Sequence, residues 1–275
     1  MSASLSAHRF EDLWYPEVLA WIALTHLAYL LAVNLWRRSF GWGDPVPVRQ
    51  QLLFSLGLWT VYLSEGTPLH LLSETYLFSA HMVQHILLTL VMPPLILLGT
   101  PGWMLRPLVR WAPTRWVMRV LVHPVPALLV FNLIYSFWHM PVAYEAILIF
   151  HWFHAVQHAI LVFTALMMWW PICSPLKELP RLSEAAQMFY IFLIGLSQIA
   201  VFGIITFAEG VMYQFYANAP RMWGIDPKTD QELAGIIMKV GGMAVFVFAW
   251  FLIFFRWVAR EEKSAVPKGQ ADATT

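Results

Sequence analysis

Residues 76–94 read YLFSAHMVQHILLTLVMPP. From Tyr76 to Met92 the run is apolar apart from a few uncharged polar side chains, and it is long enough to cross the hydrocarbon of a bilayer as a helix. His81 and His85 stand four residues apart, so they share one face of that helix. An imidazole inside a membrane is costly and needs a partner, which gives the pair a functional reading by default. Pro93-Pro94 is expected to end the helix, because neither proline donates a hydrogen bond and the second disfavours helix at the first.

A second group, His151, His154 and His158, falls at helical spacing in another apolar run. Two such groups in two spans suggest convergent imidazoles, and convergent imidazoles suggest a metal or a haem. The whole chain supports the membrane setting. Of its 275 residues, 59% are hydrophobic and 12% charged, about half the charge fraction of a soluble domain. A net charge of +1 gives no hint of nucleic-acid binding, and the single cysteine, Cys173, excludes an internal disulfide and a Cys-x-x-Cys metal motif.

Apolar runs predict an all-α, polytopic membrane protein with seven transmembrane helices: Val18–Trp36, Val48–Ser64, Tyr76–Met92, Leu121–His139, Trp152–Trp170, Ala185–Phe207 and Leu233–Trp257. Thirteen of the seventeen basic side chains then fall on one side and three on the other, with Lys239 inside the seventh span. The positive-inside rule puts the N-terminus outside and the C-terminus in the cytoplasm. The expected organisation is an outer tail over 1–16, a transmembrane domain over 17–258 and a cytoplasmic tail over 259–275, disordered from Ala265. No cleavable signal peptide is expected, since Met1 to Pro16 lacks a basic segment before a short apolar core. Trp103, Arg106, Arg110, Trp111, Arg115 and Trp116 read as an interfacial stretch. Thr229 and Glu232 read as a capping box for the seventh helix.

With direction fixed, a rise of about 1.5 Å per residue sets depth. His81, His85, His154 and His158 fall in the outer half of the third and fifth spans, His151 and His139 at the outer rim, and His26 in the outer half of the first. Four imidazoles could surround one ion if the two faces meet. Met82 and Met140 add thioethers suited to Cu(I), and Gln84, Gln157, Tyr144 and Glu145 are candidates to orient the imidazoles. Blander readings compete. His26 reads as an interhelical hydrogen bond, His8 and His123 as solvated or interfacial, Met82 as packing. His70 and His139 divide evenly between rim ligand and loop hydrogen bond. Asp230 is as readily a helix-start charge as a functional acid. Lys239 is expected to snorkel outward or to pair with Glu209, Asp230 or Glu232.

Ala80-His81-Met82-Val83-Gln84-His85 followed by Pro93 to Pro101 resembles the CtaG-like family of cytochrome c oxidase assembly proteins, the polytopic one tied to caa-type oxidases. Further matches are Trp138-His139-Met140-Pro141, His154 to His158, Trp169-Trp170-Pro171-Ile172 and Asp230-Gln231-x-Leu233-Ala234-Gly235. Lys239 and Gly241 depart from the apolar aromatic and proline that the family usually carries after Met238. The resemblance implies seven spans in a bacterial-type plasma membrane, a role in maturing haem–copper oxidases, and an oxidase subunit with a copper centre as partner. It carries a copper role onto His81, His85, His154 and His158, with His139, His151, Met82, Gln84, Gln157 and Asp230 around them. No enzyme is expected: His-Glu-x-x-His and nucleophile triads are absent. The alternatives are bis-histidine haem ligation and a metal-free scaffold or transporter, although inverted repeats are not evident.

Overall fold

The computed structural model describes residue 9 and residues 13–149 and 151–265; the side chains of residues 147–149, 151, 152 and 265 are outside that description. The readings of His8, of the His151 side chain and of the tail from Val266 onward therefore lie outside the described residues. Within them every regular element is a helix. In chain order these are α1 (Pro16–Phe40), α2 (Val48–Glu65), α3 (Pro68–Thr75), α4 (Phe78–Gly99), α5 (Gly102–Arg110), α6 (Ala112–Leu121), α7 (Pro124–Trp138), α8 (Pro141–Ile149), α9 (His151–Cys173), α10 (Glu184–Phe207), α11 (Gln214–Asn218) and α12 (Pro227–Ala265).

Five of them, α1, α4, α9, α10 and α12, are long and apolar enough to cross a membrane, and the bent pair α6–α7 makes up to six among the described residues. The expected second span, α2, is not in that set; Arg49, Gln50, Gln51 and Glu65 lower its hydropathy. The fourth span, expected from Leu121, starts instead at Pro124. His123 is extended at ψ 136° and the chain bends by 68° there, because proline drives the preceding residue out of the helical region.

Two helices form the centre. In α4 and α9, 56% and 61% of the apolar window is covered by protein, against 22% in α1, α10 and α12. A helix apolar all round and enclosed by others can afford polar side chains only where they converge. The first half of α4 packs on α12, its second half on α2, and α9 lies between α4 and α7. At Gly99 the approach to α2 is so close that a Cβ would lie 2.3 Å from the Phe54 amide nitrogen.

The expected stop at Pro93-Pro94 does not occur: α4 continues to Gly99 through a π-helical turn at Leu87–Val91. The reason is tertiary. Pro93 cannot serve the Thr89 carbonyl, and the Trp169 indole N–H of α9 donates to that oxygen at 3.1 Å instead. The capping box at the seventh helix is likewise replaced. α12 begins at Pro227, and Asp226 accepts from the Lys228 and Thr229 amides, both at 3.1 Å, while Glu232 pairs with Lys228. His26 meets Ser55 at 2.7 Å between α1 and α2, and His123 is exposed, as read from the sequence. Trp111 and Trp116 are exposed on α5–α6, consistent with an interfacial stretch.

Candidate metal centre

α4 and α9 bring their histidine faces together. The rings of His81 and His85 lie 4.3 Å apart between centroids, as do those of His154 and His158, each pair one turn apart on its own helix. Across the interface, His81 is 5.7 Å from His154 and 6.0 Å from His158, and His85 is 5.6 Å from His158. His139, at the end of α7, joins from the third side, 5.7 Å from His85. Five imidazoles from three helices thus form one layer, four of them buried and His158 12% exposed.

The layer has a lid. α3 folds back over it between α2 and α4, started by Pro68 and by Thr67, whose hydroxyl accepts from the Leu69 amide. This brings in Glu74 beside Glu65 at the end of α2, acids not singled out from the sequence as site residues. Glu74 Oε2 lies 2.6 Å from His154 Nδ1, its Oε1 3.9 Å from His81 Nδ1, and Glu65 Oε1 3.5 Å from His158 Nδ1. His139 Nδ1 donates to the Tyr135 carbonyl at 2.7 Å. A carbonyl accepts only, so Nδ1 of His139 holds the proton and Nε2 presents its lone pair. Carboxylates at Nδ1 of His154 and His158 favour the same tautomer.

What those Nε2 atoms face is the informative part. Nε2 of His139, His154 and His158, and both ring nitrogens of His81 and His85, are buried without a hydrogen-bond partner. Buried polar groups are paired in most proteins, and each exception costs about 1–3 kcal/mol. Here the exceptions converge. Ligand atoms of His81, His85 and His158 lie within 4.8 Å of one another, and so do those of Glu74, His81 and His154. Unprotonated imidazole nitrogens at that spacing are a donor set for a transition-metal ion.

Around this layer the candidate orienting residues sort differently from expectation. Gln84 donates to Glu65 at 2.9 Å and contacts His70 at 3.0 Å, so it fixes a carboxylate, not an imidazole of the layer. Its carbonyl accepts from Ser73. Gln157 is fully buried with both amide atoms unpartnered. Tyr144 meets the Tyr216 hydroxyl at 2.8 Å, and its ring stands nearly perpendicular to that of His81. Glu145 accepts from the Gln214 amide, away from the histidines. Met140 is 58% exposed and does not join the layer, whereas Met82 is buried and lines a small cavity with His85, Tyr135 and Met238. His70 takes the hydrogen-bonding role, 3.5 Å from Glu65.

Asp230 caps α4. Its carboxylate accepts from the Phe78 amide at 2.7 Å and from the Ser79 amide at 3.1 Å, one turn before His81. Negative charge at a helix N-terminus is favourable, so α12 pins the start of the histidine helix. Lys239 pairs with neither of the acids thus engaged: its ammonium lies 5.2 Å from the Phe202 ring centroid. The signal that could have found Glu65 and Glu74 was their rarity, two acids flanking a histidine-bearing span in a chain so poor in charge.

The chain belongs to the family described as the cytochrome c oxidase caa3 assembly factor, matching it over residues 27–260. The match runs from within α1 to within α12 and bears out the resemblance carried by the histidine motifs. No curated protein and no solved structure matches the chain. The family indicates a multi-pass membrane protein that assembles cytochrome c oxidase.

Proposed function

We propose that this caa3 oxidase assembly factor holds copper transiently in the histidine layer and passes it to the oxidase's copper centre by ligand exchange. The observation that carries the reading is the convergence of buried, unpartnered imidazole nitrogens from α4, α7 and α9. Metal ligation converts that cost into binding, and the Nδ1 contacts to Glu65, Glu74 and the Tyr135 carbonyl set the rings of His158, His154 and His139 for it. Imidazole suits copper, and the thioethers of Met82 and Met238 beside His85 favour Cu(I).

In this reading the chain crosses the membrane seven times, α2 included, with its N-terminus outside a bacterial inner membrane. Thirteen of the seventeen basic residues then lie inside, and the histidine layer lies in the outer half. The work is coordination and exchange; no substrate bond is made, so the protein is not an enzyme. A haem would need a slot between the helices, whereas the cavity at His85 measures about 10 Å³, room for about one water-sized sphere.

The test is replacement of His85 and His158 together with alanine in cells, with the variant's abundance checked. The expected result is oxidase that assembles without its full copper and loses activity. Full oxidase activity at normal abundance of the variant would sink the proposal.

A further inference from the structure

We infer that the histidine layer contains two copper subsites, a tight all-imidazole one and a weaker carboxylate-bearing one that serves as its exchange port. The inference rests on the copper reading above and goes beyond it in number, chemistry and order of the sites.

The first set is His81, His85 and His158; the second is Glu74, His81 and His154. They share only His81. That ring is fully buried and both of its nitrogens lack a hydrogen-bond partner, so it has one nitrogen to offer each set. An ordinary neutral imidazole presents one lone pair and one N–H. When both sets are filled, the His81 ring loses its one remaining proton to water and bridges the two ions as an imidazolate. Charge supports two ions as well. Glu65 and Glu74 bring two carboxylates to the layer, both more than three-quarters covered, and two monovalent ions offset two of the three negative charges that these and the His81 imidazolate make.

The two sets differ in hardness and in access. Cu(I) prefers the imidazoles to a set that includes a carboxylate oxygen, so the first set binds more tightly. Glu74 is 18% exposed, the most exposed ligand of the two sets, ahead of His158 at 12% and His154 at 8%. The weaker set therefore carries the ligand nearest the surface. An ion arriving from outside meets Glu74 first, and an ion leaving for a client passes it last. His154 is already oriented for this, its Nδ1 on Glu74 and its Nε2 without a partner.

Tag-free, full-length protein in detergent, titrated anaerobically with Cu(I) against a chromophoric chelator, tests this. The expected result is two ions per chain in two resolved steps. Glu74→Gln, which keeps the side-chain shape, should retain the tighter step and lose the weaker, halving the copper bound; His85→Ala should weaken the tighter step. Where Glu74→Gln fails to yield a monodisperse protein, His154→Gln carries the same expectation. Two ions retained by these variants would overturn the second subsite. A wild-type protein that takes up one ion also overturns it and leaves the proposed function standing. Uptake of none sinks both.

Discussion

The two ends of α9 are made of similar material, buried polar groups among large aromatic side chains, and they treat it in opposite ways. At the Cys173 end Ser174, Trp170 and Arg181 find partners close by. Ser174 Oγ donates to the Leu179 carbonyl at 2.6 Å and accepts from the Leu176 amide, Trp170 donates to the Leu179 carbonyl, and Arg181 donates to the Ser174 carbonyl. Trp169 completes the π-helical turn of α4. At the His154 end, three helices converge and leave their imidazole nitrogens bare. The same bundle that pairs these groups at one end leaves the other open at atoms of the kind that ligate metals. The difference teaches that the bare nitrogens are concentrated in one layer: among the described residues outside it and the adjoining Gln157, the Trp103 indole nitrogen and the Thr206 hydroxyl are the buried side-chain atoms left without a hydrogen bond.

The comparison breaks most sharply if the histidine end can be altered without consequence. Replacing His85 and His158 by alanine removes two of the three imidazoles of one set, and copper affinity should fall by more than about 100-fold, since losing even an orienting partner costs about 10–100-fold. Competition with a Cu(I) chelator reads this out. Acidification acts on the same atoms, because a proton competes for the lone pair that copper needs. Affinity should therefore fall on acidification, by up to about tenfold per liganding ring per pH unit over the range in which the rings take up protons. An affinity that does not change with pH down to the point where the fold is lost would contradict imidazole ligation.

Glu65→Gln should have a smaller effect, about tenfold in copper affinity, because it loosens only the orientation of His158. At the closed end the expected pattern inverts. Trp169→Phe leaves the Thr89 carbonyl without its donor and should destabilise the fold by about 1–3 kcal/mol with copper binding unchanged. Ser174→Ala should cost about 1 kcal/mol. Unfolding in detergent, followed by circular dichroism, measures both; copper loss in either variant would mean that the two ends are not independent.

The helical class, the long apolar helices and the shared faces of His81 with His85 and of His154 with His158 were legible in the sequence, because helix periodicity alone sets them. That those faces meet, and that His139 joins them, depends on packing that spacing does not encode. The run through Pro93-Pro94 was misread for the same reason: its rescue comes from Trp169, distant in sequence. The break at Pro124 was written in the chain, since proline restricts the residue before it, yet hydropathy alone carried the fourth span back to Leu121. Glu74 was hidden by lying in a connection, which folds as α3 over the layer, and Glu65 by closing α2 ahead of it. Asp230 was visible as a helix-start charge, but the helix it caps is α4 and not its own.

The central claim is that the convergent imidazoles hold copper. X-ray absorption at the copper edge of the Cu(I)-loaded full-length protein tests it most directly. The account predicts a first shell of nitrogen and oxygen with the outer-shell scattering of imidazole rings. A shell dominated by sulfur, or a protein that retains no copper, would contradict it.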